Sequence, residues 1–251
     1  MVPAGSDKIW AEDSGGDGPV LVLLHEGVGD SRMWDPVWPE LTRHFRVIRY
    51  DVRGYGRSPL ATEDYTLLGD LQTVLAFYGV GPVCLAGCSM GGIAAVDLAL
   101  AEPDQVSSLV LLCPGISGFS YPDEPELEAK CEALAAQGDL PGIARVLLSM
   151  WGRAGDDPVV FDLMLSSLRA TENEEQFQQP GEPALARLGQ LTVPTVLMLG
   201  DMDYPPLIES CTLAARRIPG CELIWLPGVD HYPTIRAPRQ VAETIVRHCA
   251  S

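Results

Sequence analysis

The sequence predicts an α/β protein: a mainly parallel sheet, helices on both faces and a helical cap inserted late in the chain. Three observations carry this. Short Val- and Leu-rich runs alternate with longer amphipathic stretches. The alternation breaks between about residues 119 and 191. The length, 251 residues, suits one large domain with an insertion rather than two domains with separate cores. Composition agrees, since 47% hydrophobic and 20% charged residues can bury a sizeable core and exclude wholesale disorder.

The predicted strands are Val20–Leu24, Phe45–Tyr50, Val83–Ala86, Ser108–Leu112, Thr195–Leu199 and Glu222–Leu226. Such near-continuous apolar runs mark strands buried on both faces. Helix-like stretches fall between them: Trp34–Arg43, Leu67–Tyr78, Ser89–Ala101, Leu207–Arg217 and Pro238–Cys249. Strand–helix alternation of this kind implies a parallel sheet covered on both sides. Residues 119–191 contain no convincing strand. They offer helix-like pieces at Pro125–Ala136, Ile143–Trp151 and Val159–Ala170, then a Pro/Gly loop at 179–183. The expected division is 1–118 with 192–251 as core and 119–191 as cap.

Charge narrows the functions. There are 34 acidic and 17 basic residues, a net charge of −17, and the only lysines are Lys8 and Lys130. A field this negative repels phosphate backbones and anionic lipid, so neither nucleic acid nor a membrane surface is an expected partner. The acidic surface serves solubility, or alternatively steers a cationic substrate or suits high salt. Seven scattered cysteines with no CxxC pair argue against a disulfide framework or a zinc site and fit a reducing cytoplasm. Residues 1–7 lack a basic stretch followed by an apolar one, so no signal peptide is expected. No apolar run reaches the roughly 18 residues of a membrane helix.

The chemistry centres on Gly87-Cys88-Ser89-Met90-Gly91-Gly92, between an apolar run and a helix-like run. This is G-x-S-x-G in strand–turn–helix context. The tight turn lifts a Ser hydroxyl to its tip, and Gly87 and Gly91 remove Cβ atoms that would clash. The helix N-terminus beneath it favours a developing oxyanion. A Ser nucleophile needs a base, and the base an orienting acid. Of four histidines, His231 stands in a loop after the last strand. His25 ends the first strong strand, and His44 and His248 have charged neighbours on helices. The acid is expected in the loop after Thr195–Leu199. Asp203 is preferred because two further residues carry it past the strand end. Asp201 and Asp230 are the alternatives. Cys113-Pro114-Gly115, after Ser108–Leu112, offers no carboxylate.

The chain resembles the α/β-hydrolase superfamily over nearly its whole length. The matching residues are Leu23-Leu24-His25-Glu26-Gly27, Met33-Trp34, Tyr50-Asp51-Val52-Arg53-Gly54-Tyr55-Gly56-Arg57-Ser58, the Ser89 turn, Gly200-Asp201-Met202-Asp203 and Gly228-Val229-Asp230-His231. The chain order Ser89, Asp203, His231 is that of the superfamily. The resemblance implies the α/β-hydrolase fold, that triad, and an oxyanion hole from the backbone N–H of Met90 and Gly27 (or Glu26). It is nearest to small capped esterases and lactonases such as 3-oxoadipate enol-lactonases and cofactor-free haloperoxidase-like esterases. Those imply hydrolysis of a carboxylic ester or lactone of a medium-sized, partly apolar small molecule, with no cofactor.

One residue departs from the pattern. The family has Gly directly after the first-strand His, and this chain has Glu26. A carboxylate in an oxyanion hole repels the charge it should stabilise, so Glu26 is expected to turn away and pair with Arg53 or Arg57, or to act on substrate. Glu26, Trp34, Trp151 and Tyr232 are the expected substrate-binding residues. Phe119, Tyr121, Met150, Phe161, Met164 and Leu168 are candidate cap lining or core. Arg53-Gly54-Tyr55-Gly56-Arg57 lacks the Lys-Ser/Thr of a phosphate loop. Cys88 is expected to pack inward, and no cluster has metal-ligand spacing. Ser at position 89, where dehalogenases and epoxide hydrolases have Asp, argues against both. The alternatives are a C–C bond hydrolase, a thioesterase, a lyase or cyclase on the same triad, and a ligand sensor.

Overall fold

All six predicted runs form strands, with ends within two residues of those expected, in the computed structural model, which describes residues 1–250. The strands are β1 (Val2–Ala4), β2 (Asp7–Asp13), β3 (Val20–Leu24), β4 (Arg46–Asp51), β5 (Val83–Cys88), β6 (Val106–Leu112), β7 (Thr195–Gly200) and β8 (Glu222–Leu226). They form one eight-stranded sheet in the order β1-β2-β4-β3-β5-β6-β7-β8. β1 and β2 are antiparallel to their neighbours, and every pairing from β4 to β8 is parallel. Every residue of β5 and β7 is buried. Successive side chains of a strand point to opposite faces, so both faces of the sheet are covered there. The β1–β2 hairpin escaped prediction because β1 is only three residues long and β2 breaks its apolar residues with Asp7, Lys8, Glu12 and Asp13.

The helices are α1 (Trp38–Leu41), α2 (Leu67–Tyr78), α3 (Met90–Ala101), α4 (Pro125–Ala135), α5 (Leu140–Trp151), α6 (Pro158–Ser167), α7 (Thr171–Phe177), α8 (Pro205–Arg217), α9 (Pro233–Arg236) and α10 (Pro238–Cys249). The α2 helix shows why its ends fall where they do. The Thr66 side chain accepts from Gly69 N–H at the start, and Gly79 at φ 61° closes the other end. The expected helix Trp34–Arg43 is instead a 3-10 turn at Ser31–Trp34 followed by short α1. Pro36 and Pro39 lack the N–H groups a continuous helix needs. Helices α4–α7 all lie between β6 and β7. The α4 helix buries none of its residues, whereas α6 buries Val160, Leu163, Met164 and Ser167. No helix among the described residues is long and apolar enough to cross a membrane.

Two interior links were invisible in the sequence. Cys84 on β5 and Cys249 on α10 form a disulfide, 165 residues apart. This corrects the expectation of unpaired cysteines, since no spacing rule connects such distant positions. The second link is Arg53, which donates to Asp7 on β2 at 2.9 Å and to Asp70 on α2 at 2.8 Å. It also lies 5.0 Å from the Tyr65 ring. Asp70 is only 1% exposed, so its charge has no recourse to water. Removing the guanidinium strands that charge, which costs about 3–5 kcal/mol. Arg53→Ala is therefore expected to lower unfolding stability by several kcal/mol in urea titration.

Candidate active site

The turn between β5 and α3 is built by close backbone approach. A Cβ on Gly87 would lie 2.5 Å from the Gly91 carbonyl oxygen, and one on Gly91 would lie 2.3 Å from that of Leu24. Both contacts are impossible for any other residue. The turn forces Ser89 to φ 48°, in the left-handed region, which L-residues rarely occupy. Ser89 is the N-cap of α3, yet its side chain makes no capping hydrogen bond. The hydroxyl is thus not consumed by the helix it precedes. Met90, Gly91 and Gly92 open that helix.

The end of β3 lies against this turn. Gly91 N–H donates to the His25 carbonyl at 3.0 Å. A Cβ on Gly27 would sit 3.9 Å from the Met90 Cβ, so the two residues expected to form an oxyanion hole are neighbours. His25 itself is structural. Its Nε2 accepts the Val52 N–H at 3.0 Å and its Nδ1 meets the Glu26 carbonyl at 2.7 Å.

His231 follows β8 and Asp203 follows β7, on adjacent strands. Both Asp203 oxygens face His231 Nδ1, at 3.1 and 3.0 Å, and both residues are buried. Burial opposes a charged imidazole, but the Asp203 charge, with Cys113 close by, outweighs it and holds the His231 pKa well above its usual value. Asp201, the alternative acid, is exposed and accepts the Gly228 N–H at 2.7 Å. Asp230 accepts from Ala154 N–H and Arg236.

Cys113 went unnoticed in the sequence because only a carboxylate was sought after β6. It takes φ 36° and sits 3.7 Å, sulfur to sulfur, from Cys88. Ligating atoms of Cys113, Asp203 and His231 lie within 4.8 Å of one another. Residues so far apart in the chain have no metal-ligand spacing to read. A soft cation there would compete with the hydrogen bond that Asp203 makes to His231.

The expected substrate-binding residues divide. Trp151, the last residue of α5, lies against His231, with its ring 4.5 Å from the imidazole and its carbonyl accepting the His231 backbone N–H at 3.2 Å. Trp34 and Tyr232 are both fully buried. Tyr232 donates its hydroxyl to the Val28 carbonyl at 3.1 Å. Glu26 is the sharpest correction. It pairs with neither arginine: Arg53 is held by Asp7 and Asp70, and Arg57 lies over the Trp10 ring at 4.1 Å. Its carboxyl group is fully buried and neither oxygen has a hydrogen-bond partner. Burial raises its pKa to about 8, against the pull of its own backbone N–H and of His231. At neutral pH it is mostly a neutral acid.

A family model described as the alpha/beta hydrolase family matches residues 21–244. A pimeloyl-[acyl-carrier protein] methyl ester esterase of Aeromonas hydrophila is 28% identical, over 92% of this chain and 95% of its own. Lipase LipV of Mycobacterium tuberculosis is 34% identical over 60% of this chain and 58% of its own. The enol-lactonase structure from Burkholderia xenovorans superposes with a TM-score of 0.80 at 22% identity, covering 99% of this chain and 98% of that one. An esterase from Exiguobacterium antarcticum gives 0.82 at 24% identity, covering 98% and 96%.

The raised pKa of Glu26 has a consequence for stability. Unfolded, a Glu side chain releases its proton near pH 4.3; folded, it keeps it to about 8. Between these values the native state binds more protons, so stability falls as pH rises through the interval. At about 1.4 kcal/mol per unit the loss reaches several kcal/mol by its upper end. Glu26→Gln is expected to raise the melting temperature at pH 8.5, with the gain shrinking towards pH 5 in thermal scans.

Proposed function

The chain belongs to the alpha/beta hydrolase family, and from that premise we propose that it is a serine hydrolase cleaving a carboxylic ester or lactone of a medium-sized, partly apolar small molecule. It is an enzyme of that family; the triad, the bond cleaved and the cap are the proposal. The observation that carries it is Ser89: a strained residue at a helix N-terminus whose hydroxyl does not cap the helix. Strain of this kind persists only where the surroundings enforce it, and it clusters at sites of chemistry.

In this reading His231 takes the Ser89 proton as the Ser oxygen bonds to the ester carbonyl carbon. Asp203, on Nδ1, fixes the tautomer that leaves Nε2 free and stabilises the imidazolium that forms. Backbone N–H groups of Met90 and Gly27 receive the carbonyl oxygen as its charge develops. The C–O bond to the leaving alcohol breaks, and His231 returns the proton to that alcohol. Water, deprotonated by His231, then attacks the acyl-enzyme, and the carboxylic acid and free Ser89 are released. Relatives named as a methyl ester esterase, a lipase and an enol-lactonase support an ester C–O bond as the target.

The helices α4–α7 supply the cap. Residues 119–191 carry 13 acidic and 5 basic side chains. A cap so charged favours neutral or cationic esters over anionic ones. Ser89→Ala is expected to fold as the wild type does and to lose at least ~10³-fold in kcat/KM on p-nitrophenyl butyrate. Asp203→Asn is expected to lose about 10⁴-fold in kcat, because it reverses the His231 tautomer. A fluorophosphonate should add once, at Ser89, by mass spectrometry; a fully active Ser89→Ala protein sinks the proposal.

A further inference from the structure

One buried ionisable residue takes no part in this acyl transfer. Glu26 stands between His25, whose carbonyl accepts the Gly91 N–H of α3, and Gly27, which neighbours Met90. Its side chain fills the space that Gly29 leaves open: a Cβ on Gly29 would lie 2.4 Å from Glu26 Oε1. That oxygen cannot swing to water, because the residue is fully buried. Neither carboxyl oxygen has a partner. A group so placed is tolerable only while uncharged.

Its surroundings offer no stable counter-charge. The His231 loop presents His231, whose charge comes and goes in the reaction, and Tyr232. The residue's own loop presents Asp30, itself acidic and held by Arg32 at 2.8 Å. That same Arg32 also holds Asp162 of α6 at 2.5 Å, so its charge is shared between two other carboxylates. The β5 strand presents the Cys88 thiol, which burial pushes up to about 11. From α6 the side facing Gly29 is Leu163.

We propose that Glu26 sets the upper pH limit of the reaction. As a neutral acid it is compatible with an oxyanion at Gly27; on losing its proton it places an unpaired negative charge one residue away and stops acyl transfer. Two effects act in the same direction. The anion repels the developing oxyanion in a desolvated site, where charges interact strongly. It also favours protonated His231, which removes the general base. The usual Gly of the family at this position has no proton to lose. The inference rests on the Ser89 reading, which its test keeps separate.

The test is the pH profile of kcat/KM from 5.5 to 10, with p-nitrophenyl butyrate, for wild type, Glu26→Gln and Glu26→Gly. Wild type is expected to give a bell-shaped profile, with an ascending limb of about tenfold per unit and a descending limb of the same slope, the two titrating groups being His231 and Glu26. Both variants are expected to lose the descending limb and to show no fall up to pH 10. Two chemically different replacements guard against one of them folding poorly, and circular dichroism at each pH checks that the fold persists. A descending limb that survives in both variants overturns the inference, as does a wild-type profile level to pH 10. Activity remaining in Ser89→Ala would instead overturn the nucleophile assignment and leave the Glu26 titration to be read by itself.

Discussion

The site depends on one contact between two backbones. Gly91, in the first turn of α3, lies so close to the Leu24 carbonyl at the end of β3 that no side chain fits between them. This contact sets the height of the helix against the sheet. It brings Gly91 N–H onto the His25 carbonyl, which places residues 26–29 beside Met90. It also leaves the connection from β5 too short for a relaxed turn, and Ser89 absorbs the difference at φ 48°. Backbone strain, the nearness of Gly27 to Met90 and the burial of Glu26 all follow from that packing. Strain at one residue costs roughly 1–3 kcal/mol, which the buried strands around it are well able to hold.

A second set of contacts joins the helical segment between β6 and β7 to the loops that carry Asp203 and His231. His231 N–H donates to the Trp151 carbonyl, and Arg153 donates to the Asp203 carbonyl at 3.0 Å. Ala154 N–H donates to Asp230 at 2.9 Å, and Arg236 bridges Asp230 to the Gly155 carbonyl. Residues 151–155 are therefore tied by hydrogen bonds to both the acid loop and the histidine loop. By contrast, α4 buries nothing and meets the acid loop through Glu124, which accepts from Tyr204 at 2.5 Å. Two parts of the segment thus differ in kind: the stretch 151–155 is bonded to the loops that carry Asp203 and His231, whereas α4 lies on the surface.

Much of this was legible in the sequence, for a physical reason in each case. Buried strands need unbroken apolar runs, so β3 to β7 announced themselves, and β8 did so through its run Leu223–Leu226 although it is partly exposed, whereas the short β1 and the charge-interrupted β2 did not. The glycines around Ser89 were legible because a tight turn tolerates few residues. Asp203 and Asp201 could be ranked by their distance past a strand end, and the hydrogen bond to His231 falls on Asp203. What stayed hidden were pairings between distant residues. Nothing in the spacing of Arg53 names Asp7 and Asp70 as its partners, and nothing in Cys113 tells of His231. The expectation for Glu26 erred by assuming that a carboxyl group must be charged and so must find an arginine.

Asp30 shows why that assumption fails. It lies on the same loop as Glu26, four residues on, and is also buried. Burial pushes both acids towards the neutral form. At Asp30 the push is outweighed by Arg32, through side chain and backbone N–H, and by the Ser166 hydroxyl, so its pKa is lowered. At Glu26 no such donors arrive, and burial prevails. One loop thus carries a charged acid and a neutral one, separated by partners rather than by depth. The difference matters because of where each stands. The Asp30 charge is compensated by Arg32, next to the helical segment. Glu26 adjoins Gly27, where, in the proposed acyl transfer, a negative charge would oppose the developing oxyanion. A net charge of −17 at the surface is screened within about 8 Å at physiological salt. The electrostatics around His231 are therefore governed by the buried groups close to it, Asp203 and Glu26 among them, rather than by the surface charge.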